Sequence, residues 1–264
     1  MIADCHMHTC FSDDSDTPVE AMIEQALRLG MERICITDHY DMDFPEGEFR
    51  LDTQSYIRKI LEMKEAYRGR LDICLGVELG LQPHLAERIQ TYIRQYPFDF
   101  VIGSVHLLDG KDPYYRQNFD LSDQELYERY FACALENVRC TDGFQTLGHL
   151  DYVVRYGYSR EKEYSYSRYA QWIDPILREL IQKGIALEVN SGGLKYGLGF
   201  PNPHPDILRR YRQLGGEMVT VGSDAHRPEH VGYGFDTVCN LLREAGFSYL
   251  TLFREQKPEY VKIP

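Results

Sequence analysis

The first sixteen residues hold two histidines at a spacing that suits metal binding. His6 and His8 stand where a short apolar strand should end. Because side chains two residues apart lie on the same side of a strand, both imidazoles should face one point. Asp13 or Asp14, in the loop that follows, would add a carboxylate oxygen. His-x-His also occurs by chance in strands that bind nothing, so the metal hypothesis depends on the other strands.

The same chemistry recurs at the ends of the other predicted strands. The chain has nine histidines, and six of them fall at such ends together with two carboxylates. These eight residues are His6, His8, His39, Glu78, His106, His149, Asp224 and His226. Any one histidine would more often be structural, but eight such residues at equivalent positions indicate one shared site. Imidazole and carboxylate without sulfur suit zinc, iron or manganese.

The elements that must position these residues are apolar strands alternating with helices. After a first strand that ends near His6, strands are predicted at 33–37, 71–77, 98–105, 145–148, 185–189, 218–222 and 249–253. Helices are predicted at about 18–30, 53–67, 83–95, 122–140, 167–183, 205–214 and 235–245. Strands that are continuous apolar runs are buried on both faces, as in parallel sheets covered by helices.

This alternation predicts an α/β fold, a (β/α) barrel of seven strands. The carboxyl ends of barrel strands meet on one face, which would bring the eight residues together. A doubly wound open sheet is the alternative, and it would gather its functional residues at one crevice. No repeat, low-complexity tract or linker marks a boundary, so residues 1–264 are predicted to form a single domain.

Two helix starts carry the pattern of a capping box. Thr17 and Glu20 flank a proline that would occupy the first helical position, and Ser122 and Glu125 have the same spacing. In such a box the hydroxyl accepts from a backbone N–H and the acid reaches back to the cap residue.

The hydrophobic content, the cysteines and the net charge limit the compartment and the partners that this protein could have. The chain is 43% hydrophobic but has no run of eighteen apolar residues and no basic leader, which predicts a soluble cytoplasmic protein without a membrane partner. Seven cysteines without a Cys-x-x-Cys motif fit a reducing compartment. A net charge of −12 argues against nucleic acid as a partner. A small anionic substrate remains possible because bound cations reverse the local field.

Short motifs at the strand ends resemble those of the polymerase-and-histidinol-phosphatase (PHP) superfamily, in the same order and over the whole chain. They are Asp4-Cys5-His6-Met7-His8-Thr9, Thr37-Asp38-His39, Gly76-Val77-Glu78, Ser104-Val105-His106, Gly148-His149-Leu150-Asp151 and Gly222-Ser223-Asp224-Ala225-His226. Two further segments, 148–156 and 188–195, are most similar to the stand-alone histidinol-phosphate phosphatases of that superfamily.

The resemblance implies a distorted (β/α)7 barrel that holds three divalent ions, which would be zinc, iron or manganese. The first metal would be held by His6, His8, Glu78 and Asp224. Glu78 would bridge to a second metal, held also by His106 and His149, and the third would be held by Asp14, His39 and His226. The implied catalytic residues are Glu78, Asp224 and His226, and the implied phosphate contacts are Arg155 and Lys195.

The activity that the resemblance implies is hydrolysis of a small phosphomonoester, L-histidinol phosphate, to L-histidinol and phosphate in histidine biosynthesis. A hydroxide between two metals would attack the phosphorus. One alternative keeps this machinery for a phosphotyrosine protein, a nucleotide or an oligonucleotide. Another is an amidohydrolase, although no lysine stands at a predicted strand end beside the ligands. A third is a barrel that only binds.

Other polar residues support weaker hypotheses. Asp38 and Asp151 either fix the tautomer of an imidazole or serve in ordinary loop capping. The acidic loop after the second strand is solvated or contacts a substrate ammonium group, and it contains Asp41, Asp43, Glu46 and Glu48. Four tyrosines are predicted above the site: Tyr114, Tyr115, Tyr152 and Tyr156. The remaining histidines, His84, His204 and His230, are predicted to lie on the surface.

Overall fold

A computed structural model describes residues 3–159 and 164–264 of the chain. The strands are β1 (Ala3–Asp4), β2 (Arg33–Ile36), β3 (His39–Tyr40), β4 (Asp72–Gly80), β5 (Phe100–Ser104), β6 (Thr146–Leu147), β7 (Ala186–Asn190), β8 (Val219–Gly222), β9 (Tyr249–Arg254) and β10 (Lys257–Lys262). The α-helices are α1 (Val19–Arg28), α2 (Thr53–Ala66), α3 (Ala86–Gln95), α4 (Asp123–Cys140), α5 (Tyr166–Lys183), α6 (Gly192–Lys195), α7 (Pro205–Gln213) and α8 (Phe235–Glu244). None of the helices in these described ranges is both long and apolar enough to span a membrane.

Eight strands form one parallel sheet that curves into a nearly closed barrel. Its order is β1-β2-β4-β5-β6-β7-β8, and β3 continues the line of β2 along β4, so the barrel has seven strand positions. β1 and β8 meet through the backbone. The N–H of Cys5 donates to the carbonyl of Val221 at 3.0 Å, and that of Asp224 donates to the carbonyl of His6 at 2.8 Å. The predicted seven-stranded barrel is confirmed, and the open-sheet alternative is wrong.

Alternate residues of each strand serve two apolar cores. Leu75 of β4 faces outwards into the main core between the strands and the helices. Cys74, next to it, faces the interior near the amino-terminal end of the barrel, where it packs in one cluster with Phe100, Leu252 and Phe253. The rings of Phe100 and Phe253 stack with their centroids 5.4 Å apart. Apolar side chains from the C-terminal hairpin therefore close the end of the barrel opposite the strand-end histidines.

The strand predicted at 249–253 is present as β9, but it does not extend the barrel. It pairs antiparallel with β10, for which no sequence pattern had indicated a partner strand. The turn residues Glu255 and Gln256 have φ of +48° and +62°, a conformation that hairpins usually assign to glycine or asparagine. Their N–H groups donate to a side-chain oxygen and the carbonyl of Asp99, at 3.2 and 2.9 Å, which holds the turn against the barrel.

The two predicted capping boxes have different outcomes. That of Ser122 and Glu125 is present at the start of α4. The prediction at Thr17 is wrong, because α1 starts after Pro18 with no side-chain cap. The Thr17 hydroxyl donates instead to the backbone carbonyl of His226, at 2.8 Å. The loop between β1 and α1 is thus tied to the end of β8 rather than to its own helix.

Candidate metal centre

The eight strand-end residues lie together at the carboxyl-terminal face of the barrel. His6 and His8 follow β1, and the others belong to or follow β3, β4, β5, β6 and β8. Seven of the eight are at most 9% exposed, and His226 is partly exposed. Glu78 is fully buried, because β4 is long enough to carry its inward-facing side chain between β3 and β5.

The Glu78 carboxylate separates two pairs of imidazoles. Its Oε1 lies 3.3 Å from Nε2 of His106 and 3.0 Å from Nε2 of His149. Its Oε2 lies 3.1 Å from Nε2 of His6 and 3.4 Å from Nε2 of His8. Oε2 nonetheless makes no hydrogen bond of acceptable geometry. One oxygen facing each pair is the arrangement expected of a carboxylate that bridges two metals.

Asp224 and Asp14 complete two of the predicted ligand groups. An Asp224 oxygen lies 3.4 Å from Nε2 of His8, on the first pair's side of Glu78. Asp14, from the loop after β1, has an oxygen 2.8 Å from Nε2 of His226 and 3.6 Å from Nε2 of His39. The predicted three ligand groups are therefore each brought together in space.

Burial and mutual contact shift the pKa values of these groups. Burial opposes ionisation of Glu78, but the neighbouring imidazoles of His6 and His39 hold the pKa of its carboxyl well below the usual range. The pKa of Asp224 is lowered in the same way by its hydrogen bond with His8 and by His6. Burial, reinforced by His39 and His226, lowers the pKa of His8 to about 3. Two buried, ionised carboxylates thus face several imidazoles, an arrangement that a divalent cation would stabilise. The donor set of nitrogen and oxygen fits zinc, iron or manganese.

The outer nitrogens of two predicted ligand histidines contact carboxylates that the sequence alone does not assign to them. Nδ1 of His6 lies 2.6 Å from Glu188, and Nδ1 of His106 lies 2.6 Å from Asp41. A signal for Glu188 was available, since it is an acid inside the apolar strand Ala-Leu-Glu-Val-Asn. Asp41 belongs to the acidic loop predicted to be solvated or to contact a substrate ammonium group, and the solvated alternative is wrong for Asp41, which is only 4% exposed.

Asp38 and Asp151 cap loops. Among the described residues, no imidazole donates a hydrogen bond to either carboxylate. Asp38 accepts from the hydroxyls of Thr9 and Ser12, at 2.7 and 2.8 Å. Asp151 accepts from the backbone N–H of His204 at 2.8 Å and from the amide of Asn202 at 2.6 Å, along with the hydroxyl of Tyr164 at 3.0 Å. Of their two proposed roles, loop capping is the one observed.

Arg155 lines the cavity above the ligand groups. Its guanidinium donates to Asn202 Oδ1 at 3.0 Å and to Asn190 Oδ1 at 3.3 Å, and it lies 3.5 Å from Asp224. Lys195, the other predicted phosphate contact, lies beside this cavity rather than among the described residues that line it. Its ammonium donates to the carbonyl of Asp224 at 2.9 Å.

An adjoining outer cavity of about 540 Å³ is rich in aromatic rings and carboxylates. Its lining includes all four tyrosines predicted above the site, namely Tyr114, Tyr115, Tyr152 and Tyr156. Glu48 and Asp112 also line it, and burial raises the pKa of Asp112. Asp43 pairs instead with Arg88 at 3.0 Å, while the side chain of Glu46 lies outside the described part of the structure.

The remaining histidines lie apart from the ligand groups. His84 is exposed, as predicted, and His230 is partly buried. His204 is also partly buried, with 24% of its side chain exposed. It caps α7 by accepting from the N–H of Asp206, and its ring packs on that of Phe200 with centroids 4.6 Å apart.

Comparison with known proteins agrees with this fold. The model of the PHP domain matches residues 4–192, and the chain therefore belongs to the PHP domain family. A probable histidinol-phosphatase of Clostridium acetobutylicum is 34% identical over 91% of this chain and 95% of its own length. The histidinol-phosphatase of Lactococcus lactis is 31% identical over 96% and 95%. A crystal structure of the histidinol phosphate phosphatase from Lactococcus lactis, complexed with zinc, L-histidinol and phosphate, superposes with a TM-score of 0.90, 29% identity and coverage of 98% and 100%.

Proposed function

We propose that this chain is a metal-dependent phosphomonoesterase that hydrolyses L-histidinol phosphate to L-histidinol and phosphate in histidine biosynthesis. The observation that carries this function is the position of Glu78, with one oxygen towards each of two imidazole pairs below a cavity that Arg155 lines. The histidinol-phosphatase relatives, which match over most of both chains, support the substrate.

The ligand groups divide among three divalent ions. His6, His8, Glu78 and Asp224 would hold the first, Glu78 with His106 and His149 the second, and Asp14 with His39 and His226 the third. Such ions, when bound, lower the pKa of a coordinated water and neutralise phosphoryl oxygens. The protein contributes the spacing, because Glu78 fixes the separation between the first two groups.

Arg155 is proposed to bind the phosphate group. Its guanidinium is held by two asparagine side chains and lies over the rings of Tyr152 and Tyr196, with its carbon 5.2 and 4.8 Å from their centroids. These contacts orient the planar cation for two parallel bonds to phosphate oxygens. Lys195 would add positive charge from beside the cavity, where its ammonium already contacts the carbonyl of Asp224.

The outer cavity is proposed to hold the leaving group. Histidinol carries an ammonium group and an imidazole ring. Glu48 and Asp112 would pair with the ammonium group, and the tyrosine rings offer faces for cation–π contact and stacking.

The reaction is assigned to the cytoplasm. All seven cysteines are unpaired, and four of them are exposed or half-buried, where they would be accessible to oxidation in an oxidising compartment.

A phosphate-release screen of the purified, metal-loaded protein tests this function. The substrates are L-histidinol phosphate, phosphotyrosine, a nucleoside monophosphate and a sugar phosphate, each assayed with and without prior chelation. We expect the highest kcat/KM for histidinol phosphate and loss of all activity on chelation. A higher kcat/KM for another phosphoester would overturn the substrate assignment, and activity that survives chelation would overturn the metal dependence.

A further inference from the structure

Glu188, on β7, contacts residues from two of the three ligand groups. Its Oε1 lies 2.6 Å from Nδ1 of His6, which belongs to the first group. Its Oε2 accepts from the backbone N–H of His149, in the second group, at 2.8 Å. We propose that Glu188 is a positioning residue that fixes both groups at once and so couples the affinities of the first two metal sites. This inference rests on the proposed metal-dependent function.

The contact with His6 selects the tautomer that metal binding requires. Nε2 of His6 is the nitrogen that faces Glu78, at 3.1 Å. For that nitrogen to offer its lone pair, the ring proton must sit on Nδ1. The Glu188 carboxylate accepts that proton and also fixes the ring plane, and a ligand histidine held in this way is a stronger donor.

The contact with His149 acts on the backbone just after β6. β7 pairs with β6 in the barrel, so the inward-facing side chain of Glu188 reaches the backbone that follows β6. Oε2 of Glu188 also accepts from the amide of Asn190 at 3.2 Å, and Asn190 in turn accepts from Arg155. The side chain is 1% exposed, so both oxygens are fixed in a buried network.

The neighbouring strand leaves room for this carboxylate. A Cβ atom at Gly222 of β8 would lie 2.7 Å from Oε1 of Glu188 and 2.3 Å from Cβ of His6. Since real Cβ atoms do not approach other atoms so closely, only glycine allows His6 and Glu188 to meet here. Because Gly222 of β8 has no side chain, Glu188 on β7 can reach past β8 to His6, which follows β1.

Asp41 offers a matched control. It contacts Nδ1 of His106 at the same distance of 2.6 Å. Unlike Glu188, it makes no hydrogen bond to a second proposed ligand among the described residues. Replacing either acid by its amide removes the charge and keeps the size. In Glu188→Gln the amide oxygen can accept from only one side, so its NH2 group would face a donor of His6 or of His149.

Competition with a chromogenic chelator measures zinc affinity in metal-stripped wild type, Glu188→Gln and Asp41→Asn. Loss of such a partner costs about 10–100-fold in metal affinity. We expect that loss at two sites in Glu188→Gln and at one site in Asp41→Asn. Wild-type affinity in Glu188→Gln, or weakening of a single site, would overturn the coupling. A role confined to stability would lower the melting temperature of the stripped protein without changing zinc affinity, and that result also refutes the proposal.

Two other results have a separate interpretation: a Glu188→Gln variant that does not fold, and a wild-type chain that binds no zinc. If Glu188→Gln does not fold, Glu188→Asp keeps the charge but withdraws it by one methylene, and the same loss at two sites is expected. Wild-type zinc affinity at both sites in Glu188→Asp would refute the coupling. If the wild-type chain itself binds no zinc, the proposed function fails together with this inference, whereas zinc binding by wild type with unchanged variants refutes the inference alone.

Discussion

The ring nitrogen that each histidine turns inwards determines what it can bind. His6, His8, His106 and His149 all present Nε2 to Glu78. His39 differs, because its Nδ1 lies 3.0 Å from Glu78 and its Nε2 faces Asp14. His39 therefore spans the space between the first and third ligand groups. The strand-end positions of these residues were predictable from sequence, but their ring orientations depend on partners such as Glu188, which lie far away in the chain.

Replacement of Glu78 should disturb two metals at once. Glu78→Gln keeps the size of the side chain but removes the charge shared by the first and second groups, so both sites should weaken and turnover should fall. His226→Ala should weaken only the third site. Metal content and phosphate release are measured for both variants prepared side by side. Full metal content and most of the rate in Glu78→Gln would show that Glu78 does not bridge.

Replacement of Arg155 should weaken substrate use without metal loss. A hydrogen bond to a charged group contributes about 1.5–3 kcal/mol, so Arg155→Ala should lose about ten- to a hundredfold in kcat/KM. Arg209→Ala is the control, since Arg209 pairs with Asp206 on the exposed face of α7. Wild-type kinetics in Arg155→Ala would remove this residue from the site.

At the scale of elements, the apolar strands and their order could be predicted, whereas the contacts between loops could not. Continuous apolar runs identified the barrel strands because both faces of each strand are buried. The pattern at Thr17 predicted a helix cap by local spacing alone, but its hydroxyl bonds to His226, 209 residues away in sequence. Ser15 donates to the same carbonyl at 2.9 Å. The loop that carries Asp14 is thereby tied to the residue that shares its proposed metal.

Removal of the Thr17 hydroxyl should therefore loosen the third site. A net hydrogen bond is worth about 1 kcal/mol, so Thr17→Val should lower zinc affinity at that site about fivefold and leave the other two unchanged. The control is Thr91→Val, because the Thr91 hydroxyl donates to a backbone carbonyl of α3 far from the site. Chelator competition gives the three affinities. Equal third-site affinity in the two variants would contradict the role of this loop.

At the scale of the whole molecule, the fold encloses charge at one end of the barrel and apolar side chains at the other. Without metal, protonated imidazoles such as those of His39 and His106 compensate the charge of the carboxylates. Burial works against protonation of His39, but Glu78 and Asp14 raise its pKa to about 9. Burial also works against protonation of His106, but Asp41 and Glu78 raise its pKa well above the usual value.

The stability of the metal-stripped protein should consequently fall as pH rises. A histidine whose pKa is raised by folding contributes stability that is complete below about pH 6.5 and is lost as pH approaches the folded value. The loss for His39 should occur between about pH 6.5 and 9. Thermal unfolding of stripped protein across this range should show a falling melting temperature, and saturating zinc should flatten the curve because bound metal replaces the protons. A stripped protein whose melting temperature is constant or rises would contradict the assigned charges.

Activity measured during zinc titration of the stripped protein tests the central claim most directly. Phosphate release from L-histidinol phosphate is recorded after each addition, and bound zinc is counted in the same samples. The proposed centre predicts no activity in the stripped protein and a rate that reaches its maximum only when about three zinc ions are bound per chain. Full activity in the stripped protein, or a maximum reached at a single bound ion, would contradict a centre of three metals in which Glu78 bridges the first two.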